Sequence, residues 1–145
     1  MRTPVVRALA VLCLAGCAVG TLAAQNAAAT LKELNATLAT SCFGKPTLTL
    51  AADGTVVSKS SDGGTVAFNL RDIGEIVIDR PDAQANVLLP CKDGRLCVEW
   101  VRSAGATKTT HPRTVFSITP RTPTGDRVLK LFKDLQAASV GAAKK

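Results

Sequence analysis

Residues 47–70 read Thr47-Leu48-Thr49-Leu50-Ala51-Ala52-Asp53-Gly54-Thr55-Val56-Val57-Ser58-Lys59-Ser60-Ser61-Asp62-Gly63-Gly64-Thr65-Val66-Ala67-Phe68-Asn69-Leu70. Apolar and polar residues alternate in Thr47–Leu50 and again in Thr65–Leu70, which is the period of a strand with one face buried. In the second run Val66, Phe68 and Leu70 share a face, opposite Ala67 and Asn69. Asp53-Gly54 is a tight-turn pair leading into Thr55-Val56-Val57. Asp62-Gly63-Gly64 turns the chain again, with glycine supplying a positive φ. The stretch therefore predicts three antiparallel strands joined by short turns.

The same pattern continues outward. Gly74 interrupts it, Glu75-Ile76-Val77-Ile78 resumes it, and Pro81-Asp82 opens a loop. Ala85–Leu89 predicts a strand that the turn around Asp93-Gly94 returns as Leu96–Val101, with Leu96, Val98 and Trp100 on one face. Ser103–Thr110 reads as a polar loop, and Thr114–Thr119 as a seventh strand. Pro120–Gly125 is a break in which Thr122 or Thr124 could cap a helix. Val128, Leu131, Phe132 and Leu135 then fall at i, i+3, i+4 and i+7, an amphipathic helix over about 125–138. On the N-terminal side, Thr30-Leu31-Lys32-Glu33 has the form of a capping box. Leu31, Leu34, Leu38 and Cys42 follow at near-helical spacing, which predicts a short helix of about 31–40 within residues 30–42. Residues 17–29 are Ala-rich and read as a tether.

The expected fold is mainly β. It is a seven-stranded antiparallel meander, either a bent sandwich or a small barrel, closed by the C-terminal helix and preceded by the short N-terminal one. The β-rich domain spans 45–138 and a tail covers 139–145. Seven strands followed by one amphipathic helix resemble the pleckstrin-homology-like superfold, in element order only, and a superfold does not by itself imply a function.

The start of the chain carries Arg2 and Arg7 around a short basic region, then the apolar Ala8–Leu14. That is the build of a secretory signal and is too short for a membrane-spanning helix. Its end, Leu14-Ala15-Gly16-Cys17, resembles the lipobox of bacterial lipoproteins. The resemblance implies cleavage after residue 16, lipidation of Cys17 and a lipid-anchored place in the cell envelope. The alternative is an ordinary signal cut near residue 24, giving a soluble periplasmic or secreted protein. No later apolar run is long enough to span a membrane.

Of five cysteines, Cys42, Cys91 and Cys97 then remain as thiols in a compartment that permits disulfides. Cys91–Cys97 is the most local pairing, across Lys92-Asp93-Gly94-Arg95-Leu96. Cys42 is left over as a small buried hydrophobe. Cys-x5-Cys without further ligands is no zinc motif, so no metal is expected. Aromatic residues are only 3% of the chain, too few for a stacking platform that reads single-stranded nucleic acid, so no nucleic-acid partner is expected. Trp100 reads as a core anchor or, alternatively, an exposed contact for a ligand.

Charge is segregated. Residues 25–94 hold six basic and eight acidic side chains, while residues 95–145 hold ten basic and three acidic ones. Arg102, Lys108, Arg113, Arg121, Lys130 and Lys133 are the candidates for a basic face that meets an anionic lipid, an acidic cell-wall polymer or an acidic protein. The chain lacks the elbow, zinc and phosphate-loop motifs of common enzymes, so no catalytic residue and no cofactor is expected. His111, the one histidine, is the focus of the alternative, a hydrolase-type enzyme in which Asp62, Asp72 or Cys42 would have to assist it.

Overall fold

The structure is a computed structural model that describes residues 16–141 apart from Asp82 and Pro120, with only the backbone of residues 16–22 and Arg121. Residues 1–15 of the signal segment lie outside the described residues, as does the side chain of Cys17. Helix α1, Gly16–Ser41, precedes eight strands: β1 (Thr47–Leu50), β2 (Thr55–Lys59), β3 (Thr65–Asn69), β4 (Val77–Asp79), β5 (Ala85–Pro90), β6 (Val98–Val101), β7 (Thr109–His111) and β8 (Arg113–Ile118). Helix α2, Asp126–Gly141, ends the fold.

The strands form two antiparallel sheets, ordered β1-β2-β3-β6-β7 and β4-β5-β8, and the barrel is not closed. Neighbouring strands pair as hairpins at β1–β2, β2–β3, β4–β5 and β6–β7. The chain changes sheet after β3, after β5 and after β7. The last change is made at Pro112 alone, whose ring fixes φ and which has no N–H to lose from a ladder. Its carbonyl accepts the Cys91 N–H at 2.8 Å.

Four sequence expectations need correction. The strands number eight because Thr109–His111, placed within the Ser103–Thr110 loop and just beyond it, pairs with β6. Strand β6 starts at Val98, and Leu96 is 62% exposed, because the segment before β6 carries the chain from one sheet to the other. Helix α1 is already formed at Gly16, the first described residue, rather than beginning near residue 31, so the tether is helical. Alanine is the strongest helix former, and an Ala-rich stretch continuous with an amphipathic turn propagates it. Thr30 therefore lies inside the helix and caps nothing, and Glu33 pairs with Arg127 at 2.8 Å. Finally, α2 runs on into the expected tail, where Ser139 is buried and donates to the Leu135 carbonyl at 3.0 Å.

One core joins the layers. Leu34 and Leu38 of α1 and Val128, Leu131, Phe132 and Leu135 of α2 are buried with Leu48, Val56, Phe68, Val87, Leu89 and Phe116 of the sheets. The Phe116 and Phe132 rings stand 4.8 Å apart. Each fully buried side chain of this size contributes about 1.5–3 kcal/mol, which far exceeds any helix propensity and fixes α2 against the sheets.

Candidate functional site

The candidate basic residues do not form one face. Arg102 follows β6 directly, and Lys108 directly precedes β7, which pairs Trp100 with Thr109. Both therefore lie at one end of the five-stranded sheet. Arg113 starts β8 at the other end of β6, where Val98 faces His111. Lys130 and Lys133 project from α2, whose last turns sit by the β1–β2 turn, with Ser139 close to Gly54. That turn is at the far end of β2 and β3 from Arg102. Lys108 pairs with Glu99 at 3.0 Å and Lys130 with Asp134 at 2.5 Å, so two of the six charges are largely offset. The Arg121 side chain lies outside the described residues.

Register brings in two cations that counting by thirds of the chain cannot see. Thr47 pairs with Lys59, Lys59 with Thr65, and Thr65 with Val101, a row about 15 Å wide at ordinary strand spacing. Lys45, just before β1, belongs to the same end. Gly44 accepts the Ser61 N–H at 2.9 Å, which ties the loop after α1 to the β2–β3 turn. Lys45, Lys59 and Arg102 are exposed and make no salt bridge among the described residues. Phe43, 91% exposed, stands beside them. Its backbone N–H donates to the Ser117 carbonyl at 3.0 Å, so this aromatic ring is held out on a fixed turn.

Of these three cations Arg102 lines a groove of about 280 Å³, together with Ser60, Asp62, Val66 and Trp100 among others; Val66 and Trp100 lie on the core-facing side of the sheet, and Lys59, one step along the register, on the opposite face. Val66 and Trp100 are register partners and half-buried, forming its apolar floor. Asp62 is anchored through one carboxylate oxygen, which accepts the Ser60 hydroxyl and, at 3.0 Å, the Gly64 N–H. These two donors hold its carboxyl below the usual carboxylate range, so it stays an acceptor. The Trp100 Nε1 is buried with no hydrogen-bond partner. Trp100 is thus half-buried against the core, as the first of the two sequence alternatives expects, and also lines the groove.

His111 stacks on Trp100 with ring centroids 4.7 Å apart, and its Nε2 meets the Thr109 hydroxyl at 2.9 Å. Among the described residues no carboxylate is hydrogen-bonded to it. Asp62 is engaged as described, and Asp72 lies 3.9 Å from Arg95. Cys42 bridges Ile118 at the far end of β8, about 17 Å of strand from Arg113. The structure does not bring the proposed assistants to the histidine. Among the described residues no three of His, Cys, Asp or Glu gather as a metal ion would require.

Cys91 and Cys97 are joined in a disulfide with their Cα atoms 5.7 Å apart. It does not staple a hairpin, since β5 pairs with β4 and β8 while β6 pairs with β3 and β7. It ties the two sheets together beside Pro112. No family model matches the chain, and neither a curated protein nor a solved structure matches it.

Proposed function

We propose that this chain is an exported, non-catalytic binding module of the cell envelope, anchored through a lipidated Cys17 and recognising an anionic partner. The carrying observation is that Lys45, Lys59 and Arg102, each without an ion-pair partner among the described residues, lie at one end of the five-stranded sheet. Exposed cations that outnumber the acids beside them, here Asp62, raise the local potential and attract anions. The disulfide agrees with an oxidising compartment. No helix among the described residues is long and apolar enough to cross a membrane, so the anchor would be the acyl chains, which contribute about 0.8 kcal/mol per buried CH₂.

Two measurements test this reading. Cys17→Ala should move the protein from the membrane fraction to the soluble fraction. Wild type that is already soluble, with a mature N-terminus beyond residue 17, would refute the anchor. Binding to anionic vesicles, anionic cell-wall polymer or an acidic protein should weaken as salt rises, because exposed charges are screened over about 8–10 Å near physiological ionic strength. Absence of binding to all three at low salt would refute the anionic partner.

A further inference from the structure

We infer that the anionic partner is a phospholipid surface, which Phe43 enters while Lys45 and Lys59 meet its phosphates. This inference rests on the anchored binding module proposed above. Phe43 is 91% exposed, yet the loop that carries it is fixed. The Phe43 N–H donates to the Ser117 carbonyl at 3.0 Å, the Lys45 N–H to the Cys42 carbonyl at 3.1 Å, and the Ser61 N–H to the Gly44 carbonyl at 2.9 Å. Gly44 and Lys45 both have positive φ, 76° and 43°. For Lys45 that conformation costs free energy and persists because the surrounding hydrogen bonds hold it. A ring already held in place loses little freedom when it is inserted.

The loop is bonded to Ser61 and Ser117, so the ring projects beside polar residues and not within an apolar patch. A protein partner would pack such a ring into a continuous apolar core with a polar rim. A bilayer accepts a single ring, because its fluid interior closes around it while flanking lysines reach the phosphates. Lys45 adjoins Phe43 through Gly44. Lys59 adjoins Ser60, whose Cβ stands 3.7 Å from where a Cβ on Gly44 would lie. Both lysines are exposed and lack an ion-pair partner among the described residues, so against Asp62 in the next turn they leave this corner cationic. At 1.5 Å per residue, α1 separates position 17 from Ser41 by about 36 Å. Acyl chains on Cys17 and the Phe43 ring therefore reach one bilayer when α1 lies along it. The exposed line Gln25, Ala28, Lys32, Ala36 and Ala39 on α1 carries a cation and no carboxylate. Glu33, the sole acid between residues 16 and 45, is tied to Arg127 at 2.8 Å.

Co-sedimentation with vesicles decides the matter, using the full-length Cys17→Ala chain so that the acyl anchor does not carry the binding. Vesicles of phosphatidylglycerol and phosphatidylcholine should bind it at low salt, and phosphatidylcholine alone should not. In this background Phe43→Ala should lower affinity by about tenfold, without altering the fold because the ring is exposed. Lys45→Glu/Lys59→Glu should lower it by at least about tenfold, with Lys45→Gln/Lys59→Gln replacing that pair if it does not fold. Lys32→Glu should lower it by about fivefold, and Lys130→Glu/Lys133→Glu should leave it unchanged. Affinity that survives Phe43→Ala overturns the insertion, and affinity that survives Lys32→Glu overturns the placement of α1 along the bilayer. Affinity lost with the α2 pair instead overturns the site. Salt-sensitive binding to anionic cell-wall polymer or an acidic protein, with none to the vesicles, overturns the lipid and leaves an anionic partner standing. Binding to none of the three overturns both readings.

Discussion

Cys42 is 6% exposed and joins α1 to the end of β8. Burial pushes its thiol from 9.0 up to about 11, which a backbone hydrogen bond from Ser117 offsets only in part. The folded chain therefore keeps this proton between pH 9 and 11, where the unfolded chain has released it. The stabilising contribution is complete below about pH 9 and is lost as pH rises toward 11. Native protein at pH 8 should not react with a disulfide-exchange reagent until denatured, and Cys42→Ala should flatten the alkaline limb of the stability curve. At Trp100 the buried Nε1 has no acceptor to lose. Trp100→Phe should accordingly change unfolding free energy by less than about 1 kcal/mol, whereas Trp100→Ala, which empties half-buried volume, should cost about 2–3 kcal/mol. Urea unfolding of the two variants distinguishes them. A Cβ at Gly125 would stand 2.6 Å from the Ala85 Cβ and 3.3 Å from the Ile78 Cδ1. Gly125→Ala should cost about 1–3 kcal/mol by overpacking, read as a lower thermal midpoint; an unchanged midpoint would mean that the turn before α2 gives way.

At the scale of elements, α1 protects an open sheet edge. The Asn35 amide donates to the Leu48 carbonyl at 2.9 Å and accepts the Leu48 N–H at 2.7 Å, completing the pairing that an edge strand leaves unmet. Asn35→Ala should cost about 1–3 kcal/mol and promote self-association, measurable by denaturation and light scattering. The disulfide is an element-level device too. Replacing both Cys91 and Cys97 by Ala should cost no more than about 2–3 kcal/mol, since the closed loop is short. Its loss should raise hydrogen exchange where the sheets meet, at residues 90–98 and 109–113. Seven of the eight strands and α2 were legible because their periods of two and 3.6 are written in adjacent residues such as Val66, Phe68 and Leu70, or Val128, Leu131, Phe132 and Leu135; the short polar β7 was not. The extent of α1 was not, because Ala-rich sequence has no apolar stripe to reveal a helix and only its propensity speaks.

On the scale of the whole molecule, the candidate site was legible only in its pieces. Trp100 and Arg102 stood out in the sequence, but Lys45, Lys59 and Phe43 join them only through strand pairing and the sheet-to-loop tie at Gly44. Net charge by segment pointed instead toward Lys130 and Lys133 on α2, because a linear count ignores which end of a sheet each residue reaches. The account places recognition at one end of the five-stranded sheet, remote from the start of α1. Hydrogen–deuterium exchange of the protein with and without a soluble anionic polymer tests that placement most directly. The account predicts slowed exchange over residues 43–45, 59–66 and 100–109, with α2 unchanged. Protection confined to residues 126–141, or no protection at saturating ligand, would contradict it.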